Sequence, residues 1–594
     1  MIPNSIAVLP LENLSSDPEN EYFSDGMSEE IINALSRING LKVTARTSSF
    51  AFKGLKEDVR IIGNKLGVAS VIEGSVRKAG KRVRITVQLI RTDNGFHIWS
   101  ENFDRELADI FALQDEISLL VADKIRENFG HMEIGDHLVS AKTANTEAYQ
   151  KFLQGSFHFK RKDLEDIKKA LSYFQEAVQL DPDYAEAHAF IGETYLHYAG
   201  FNLISTQEGH SKAREAAEKA LEIDEKDARA HKVLAYVHLF YDWDWDGAIA
   251  SYNRAVVGGL TNENEFITYY YIFIQKDYEQ AIRIAKENVV KDPLHVITHW
   301  QLGLCYYFAG RFSEALQAFE QSLQQDSNFS EALRWKGVVL GYLGRFEEAH
   351  AAIDQALVIT RGAGLALLDR LTVKILQQET EVVVEEIEQM QHLDPCDPAT
   401  LYSLLNMPEK AVAWLEKGLE ARSVMMVSLK HFWIWDNIRQ DAGFQRIYRK
   451  MQFHTQKALK ADRRSHQLRE DGAAKLSPEE IMTVTAALEE MLKNEETVVD
   501  QELTLRSVAE ALALHPNKLS WLLNRHMGKN FNELINQYRL KIFKKKATDP
   551  ANRHLTLLGL AYESGFNSKS VFNDYFKKST GLTPKAWMKA QAKA

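Results

Sequence analysis

The residues best suited to chemistry lie at the carboxyl end of the chain. Between Leu503 and Ala594 stand 16 lysines or arginines against 5 aspartates or glutamates, a net charge of +11. The whole 594-residue chain carries −10, so residues 1–502 carry −21. Clustered ammonium and guanidinium groups neutralise phosphates and release counterions. A basic module on an acidic body is therefore the electrostatic footprint of a nucleic-acid binder. Elsewhere reactive constellations are scarce. No Walker phosphate loop, dinucleotide fingerprint, His-Glu-x-x-His zinc motif or Gly-x-Ser-x-Gly elbow occurs. Cys305 and Cys396 are far apart, which implies neither a disulfide framework nor a zinc site. His431, His454 and the other histidines show no ligand spacing. Asp25, Arg46, Ser48 and Glu73 fall near expected strand or helix ends, where α/β sites form. Helix capping and pairing across turns explain them better, so no enzymatic activity, cofactor or metal is expected.

The elements that would position the basic residues are short helices. From Leu555 an apolar helix runs to a stop at Gly565. A second begins at Ser568, whose hydroxyl suits an N-cap, and Gly581 ends it. Thr583-Pro584 starts another helix with proline at its first position. Two short helices around a glycine-containing turn form the helix-turn-helix pattern, whose second helix enters the major groove. The pattern occurs twice. Leu503–Leu514 is the first helix of the upstream copy, Pro516–Met527 its second, and Gly528 the stop. Ala509 matches Ala561 at an offset of 52, and Gly528 matches Gly581 at 53, so the second turn holds one extra residue. Between the copies, Asn530 to Glu533 reads as a capping box opening a linker helix through Lys546. At 1.5 Å per residue that helix is roughly 25 Å long. It could hold two recognition helices about one DNA turn apart, roughly 34 Å.

This region resembles the DNA-binding domain of AraC/XylS-type transcription regulators. Ser570, Phe572, Phe576, Lys577, Gly581, Thr583 and Pro584 fall where that family places them, and Met588 stands where it usually carries arginine. The resemblance implies that the first recognition helix presents Asn517, Ser520 and Trp521 to base edges, and the second Lys569, Ser570, Asn573 and Asp574. Asparagine favours adenine bidentately, serine is permissive, and aspartate accepts from cytosine N4. Trp521 suits a thymine methyl or the sugar edge. Lys518, Arg525, Lys529 and Lys577 are the candidates for phosphate contacts, which position without specifying.

Residues 1–130 read as an α/β domain. Ile6 to Leu11 is a buried strand, and a helix follows from about Asp25 to Ile38. Leu41 to Arg46 alternates like a strand, and Val59 to Leu66 suits a helix stopped by Gly67. Ala69–Lys78 and Arg82–Arg91 pair around Ala79-Gly80 as a hairpin, His97–Ser100 adds a strand, and Ile110–Asn128 is a long amphipathic helix. The motifs Ile6–Asn13, Tyr22–Gly26, Ala45–Phe50, Val71–Val76 and Leu107–Glu116 are similar to those of TolB-like amino-terminal domains of bacterial signalling proteins. That likeness implies no known ligand.

Residues 145–455 read as an all-α tetratricopeptide solenoid. Gly303/Gly337, Gly310/Gly344, Arg311/Arg345, Phe312/Phe346, Glu314/Glu348, Ala315/Ala349 and Ala318/Ala352 are each 34 residues apart, the period of that repeat. With degenerate copies on either side, about seven or eight repeats fit. The array resembles those that follow TolB-like domains, in which Asp242-Trp243-Asp244-Trp245-Asp246 recurs as an interhelix turn. A polar linker spans 456–476, and the double helix-turn-helix module occupies 477–594. Ser477-Pro478-Glu479-Glu480 opens an acidic helix expected to pack on the first helix-turn-helix.

The start of the sequence has no charged n-region or long apolar run, and no stretch approaches the ~20 apolar residues of a membrane helix. A cytoplasmic protein is expected. The reading is a multidomain regulator of transcription that binds specific double-stranded DNA. Its amino-terminal half would receive an unknown effector and meet a protein partner, or a second copy, through the repeats. The alternative is a repeat scaffold or a nucleotide or peptide sensor with a vestigial DNA module.

Overall fold

The computed structural model describes residues 2–161, 164–200, 203–260, 265–360, 365–389, 394–453, 476–552 and 554–591. The expected linker at 456–476 lies almost entirely outside these residues, as does His454.

The chain opens with β1 (Ile2–Val8), β2 (Glu12–Asn13), α1 (Glu21–Ser36), β3 (Lys42–Val43), α2 (Arg46–Phe50) and α3 (Val59–Leu66). There follow β4 (Val68–Ala79), β5 (Arg82–Arg91), β6 (His97–Glu106) and α4 (Ile110–Phe129). The strands form one mixed sheet in the order β3-β1-β4-β5-β6, with β2 also paired to β4. β1 is parallel to β3 and β4, while β4, β5 and β6 form an antiparallel meander. Alternation divides β1 between two cores. Ile6 and Val8 face α1 and α4, and Ala7 and Leu9 face α3. Gly80, at φ +59, turns the β4–β5 hairpin.

Two local expectations need correction. β6 is ten residues long rather than the four of His97–Ser100. Its outer half is polar apart from Phe103 and mostly exposed, as an edge strand allows, so no apolar alternation marks it. Arg46, expected to end the strand from Leu41, instead opens α2. The Asp292 carboxylate accepts from the Ser48 N–H at 2.9 Å and from the hydroxyls of Ser48 and Thr47, a cap supplied 244 residues away. Asp25 bonds Lys53 at 2.6 Å, and Arg46 lies over the Phe50 ring and against Glu29. These three residues therefore act structurally here.

Among the described residues eight helical pairs follow. They are α5 (Thr146–Phe159) with α6 (Leu164–Leu180), α7 (Ala185–Gly200) with α8 (Thr206–Ile223), and α9 (Ala228–Val237) with α10 (Trp245–Val257). Next come α11 (Glu265–Tyr270) with α12 (Tyr278–Lys291), α13 (Val296–Phe308) with α14 (Phe312–Gln325), and α15 (Ser330–Tyr342) with α16 (Phe346–Ile359). α17 (Ala366–Leu376) with α18 (Thr380–Gln389) and α19 (Cys396–Leu404) with α20 (Pro408–Glu420) complete them, before α21 (Ala442–Lys450). A Cβ on Gly303 would stand 2.4 Å from Phe319, and one on Gly337 2.4 Å from Ile353. That close approach explains why the repeat keeps glycine there. Gly310 (φ +71) and Gly344 (φ +75) make the turns inside these pairs. The Asp242–Asp246 stretch crosses the turn between α9 and α10 and enters α10: Asp244 caps α10, Asp242 pairs with Arg214, and Trp245 stacks on Phe453. The first repeats share a core with the sheet, in which Phe152, Phe174 and Tyr184 join Ile31 and Val121.

Ala315 is fully buried between helices of the regular pair. Ala315→Trp overpacks that contact and is expected to cost ~1–3 kcal/mol or more, read as a lower urea midpoint of the helical signal. An unchanged midpoint would mean that the helices do not touch there.

Among the described residues, no helix is long and apolar enough to cross a membrane, and no three His, Cys, Asp or Glu side chains are grouped to hold a metal ion. Both cysteines are buried thiols.

Candidate nucleic-acid interface

The carboxyl-terminal module is built from α22 (Pro478–Met491), α23 (Glu495–Val499), α24 (Leu505–Ala511), α25 (Pro516–Trp521), α26 (Phe531–Thr548), α27 (Leu557–Tyr562), α28 (Lys569–Thr580) and α29 (Pro584–Gln591). Thr504, Asn530, Thr556 and Ser568 accept backbone N–H groups as N-caps, and Asn530 with Glu533 closes a capping box. α25 continues through a π turn at Leu522–His526. Gly528 (φ +64) and Gly581 (φ +74) stop the two second helices.

The two copies share their turn. Ala513 (φ +52) and Gly565 (φ +91) occupy equivalent left-handed positions, and Leu514 and Phe566 donate back to Ala509 and Ala561. His515 caps α25 and Ser568 caps α28, so Asn567 is the extra residue of the second turn. Each unit has its own core. Leu505, Val508, Leu519, Leu522 and Leu523 form the first with Leu488 of the acidic helix α22, which packs where expected. Phe543, Phe566, Phe572 and Phe576 form the second.

α26 joins the units. Its 18 residues make it ~27 Å long. Arg539 on this helix is buried and donates to the carbonyls of Val498 (2.9 Å) and Asp500 (2.6 Å). Burial pushes its pKa down to about 10, while Asp500 holds it up. Tyr575 and Lys578 of α28 bond Glu533 at 3.1 and 2.9 Å, and the Lys578 bond holds the Glu533 carboxyl below its usual range. A Cβ on Gly565 would stand 2.7 Å from Val499 Cα and 2.8 Å from Arg539 Nε. Gly565→Ala therefore combines a strained φ with overpacking. We expect a cost of ~2 kcal/mol or more, read as faster amide exchange over α26 and α27. Unchanged exchange would contradict this packing.

The expected site residues divide into two sets. On the second unit, Lys569, Asp574 and Lys577 are exposed, and Ser570 and Asn573 are half-buried along the same helix. Lys577 has no ion-pair partner among the described residues. On the first unit, Trp521 is half-buried against that unit's core. Ser520 is fully buried, and its Oγ has no hydrogen-bond partner among the described residues. This arrangement does not offer Ser520 to a base, against the expectation. Arg525 is exposed, Lys529 bonds Gln537 at 2.6 Å, and Lys518 lies 3.8 Å from Glu480.

The Asn517 side chain makes three hydrogen bonds to the α/β domain and the segment after it. Its Oδ1 accepts from Arg126 Nη1 at 2.6 Å and from the Ile134 N–H at 3.3 Å, and its Nδ2 donates to the Ile134 carbonyl at 3.2 Å. Around it, Glu127 accepts from the Leu505 N–H at 3.0 Å and Arg506 pairs with Asp123 at 3.0 Å. Asn530 donates to the Asn128 carbonyl at 3.0 Å, and His515 lies 3.4 Å from Asp136. Burial depresses the Arg126 pKa, with Asp123 and Glu127 opposing. His131 is pushed to about 4 by burial and by Arg126 and Arg525. Asp574 is close enough to act electrostatically on Arg91 of the sheet. Sequence reasoning missed Arg126, Asp123 and Glu127. They stand on an ordinary amphipathic helix, and no local signal marks them as partners of residues nearly four hundred positions away.

A helix-turn-helix domain family matches residues 508–590. The second domain of HilA/YgeH-like transcriptional regulators matches residues 3–120, and tetratricopeptide repeats match 161–184 and 296–329. The putative adenylate cyclase 3 of Rhizobium meliloti is 36% identical over 236 residues, 39% of this chain and 39% of that protein. The transcriptional regulator HilA of Salmonella typhimurium is 19% identical over 316 residues, 52% of this chain and 54% of that protein. The chain thus spans about 39% and 54% of the lengths of these relatives. Among solved structures, human IFIT1 bound to PPP-AAAA covers 57% of the chain at 12% identity and a TM-score of 0.36.

Proposed function

We propose that the chain is a transcription regulator that binds a specific double-stranded DNA sequence through its two helix-turn-helix units. One observation carries the reading: two units with separate cores and matching turns are fixed on one helix inside the +11 segment. In this reading Asn517, Trp521, Lys569, Ser570, Asn573 and Asp574 meet base edges, with Ser520 joining them only after the first unit rearranges. Lys518, Arg525, Lys529 and Lys577 meet phosphates. The module extends over 477–594, the repeats over 145–455 and the α/β domain over 1–130, with a linker between repeats and module.

The repeats contribute protein interaction, with a partner or a second copy. The α/β domain, TolB-like in its motifs and matched by a regulator family, receives the signal. DNA as the target places the protein in the cytoplasm beside the chromosome. The likeness to HilA favours this reading.

Binding-site selection from random duplexes with the full chain tests the proposal. It should enrich two sequence blocks about one helical turn, ~10 base pairs, apart. Recovery of unselected sequence would overturn it.

A further inference from the structure

Asn517 is the expected base reader whose side-chain amide is already held at both its oxygen and its nitrogen. The Ile134 backbone gives its Oδ1 an N–H and takes its Nδ2 hydrogen into a carbonyl. Adenine offers asparagine the same pair in the major groove, a donor at N6 and an acceptor at N7. Arg126 adds a third bond. We propose that the α/β domain holds the first recognition helix by imitating a base edge, so that this domain and DNA compete for Asn517. The proposal rests on the DNA-binding reading above.

The surface is shaped for this helix-turn-helix unit rather than for apolar burial in general. Glu127 receives the first N–H of α24, where a carboxylate meets the positive end of a helix. Asp123 pairs with Arg506 on the same turn. The Asn128 carbonyl takes the side chain that caps α26. The contacts thus run along the end of α4 and through residues 130–136, over both helices of the unit. A duplex seated on Asn517 would have to occupy the space of that segment.

The contact is also built to part. Among the described residues no apolar cluster crosses it: the core of the first unit and the core of the sheet remain separate. Arg126 is 1% exposed and Glu127 4% exposed while docked. Separation returns these charges to water, which offsets much of what the lost bonds contributed. Polar contacts between domains of one chain are the kind that open and close. The second recognition helix keeps Lys569, Asp574 and Lys577 exposed, so first capture of DNA by that unit remains open. Apparent affinity then falls by the fraction of chains that are open.

The test compares the full-length chain with two variants, on the selected duplex and on a random duplex. Arg126→Ala/Glu127→Gln takes one hydrogen bond and one carboxylate charge from the clamp and touches no proposed base or phosphate contact. It should bind both duplexes about tenfold more tightly than the unaltered chain, with far-ultraviolet circular dichroism unchanged. Asp136→Cys/His515→Cys places a thiol pair across the same contact. Its DNA binding should fall at least tenfold on oxidation and return on reduction. Equal affinities for clamp variant and parent, with no effect of oxidation in a chain shown to be cross-linked, would overturn the competition and leave DNA binding standing. Failure of every form, reduced or oxidised, to bind either duplex would overturn the DNA-binding reading and the competition with it.

Discussion

Asn573→Ala is expected to weaken binding to the preferred duplex by ~1–3 kcal/mol, roughly fivefold to 150-fold, and to leave random DNA almost unaffected. Asn573 lies one turn into α28, half-buried, and its side chain makes no hydrogen bond among the described residues. Its amide is therefore ready for a bidentate contact, unlike that of Asn517. Loss of a base contact costs affinity only where the matching base is present, whereas loss of a phosphate contact costs affinity everywhere. Parallel titrations of the selected and random duplexes at one salt concentration separate the two. Equal losses on both would remove Asn573 from the readout.

Phe576→Ala should have the larger effect on the fold, ~3–5 kcal/mol. Phe576 is fully buried and its ring lies 5.6 Å from Phe543, 5.6 Å from Phe572 and 5.8 Å from Trp587. The alanine leaves a cavity among aromatic rings that are fixed by three helices, so little collapse can fill it. Because this core is separate from that of the first unit, the damage should stay local. Amide exchange should accelerate over α27 to α29 and remain unchanged over β4 and β5. Specific DNA binding should be lost with it. Unaltered exchange over α28 would contradict the assignment of this core.

Much of this architecture could be read from single residues. Ser568, Asn530 and Gly581 mark helix ends because capping chemistry is local, and each stands where that chemistry requires. The 34-residue spacing of Gly303 with Gly337 places α13 and α15 in equivalent positions because close helix packing demands a missing side chain. Elements held by distant partners were not legible. α2 depends on a carboxylate from the repeats, and β6 is an edge strand whose polar residues look like loop. The same limit applies to the interface. The roles of Lys569, Asn573 and Lys577 follow a motif contained in their own helix. The engagement of Asn517 depends on Arg126 and Ile134, which only the folded chain brings to it. Net charge alone names no partner surface for the basic module. The structure brings α4 of the α/β domain against the first unit through individual hydrogen bonds.

The central claim is sequence-specific recognition of DNA, and the ratio of two affinities tests it most directly. The full-length chain is titrated, at physiological salt, against the duplex enriched by selection and against a scrambled duplex of identical length and composition. Specific recognition predicts a ratio of at least ~10³ in favour of the enriched duplex. Equal affinities that fall together as salt is raised would contradict it, and would reduce the module to a basic surface that holds any phosphate backbone.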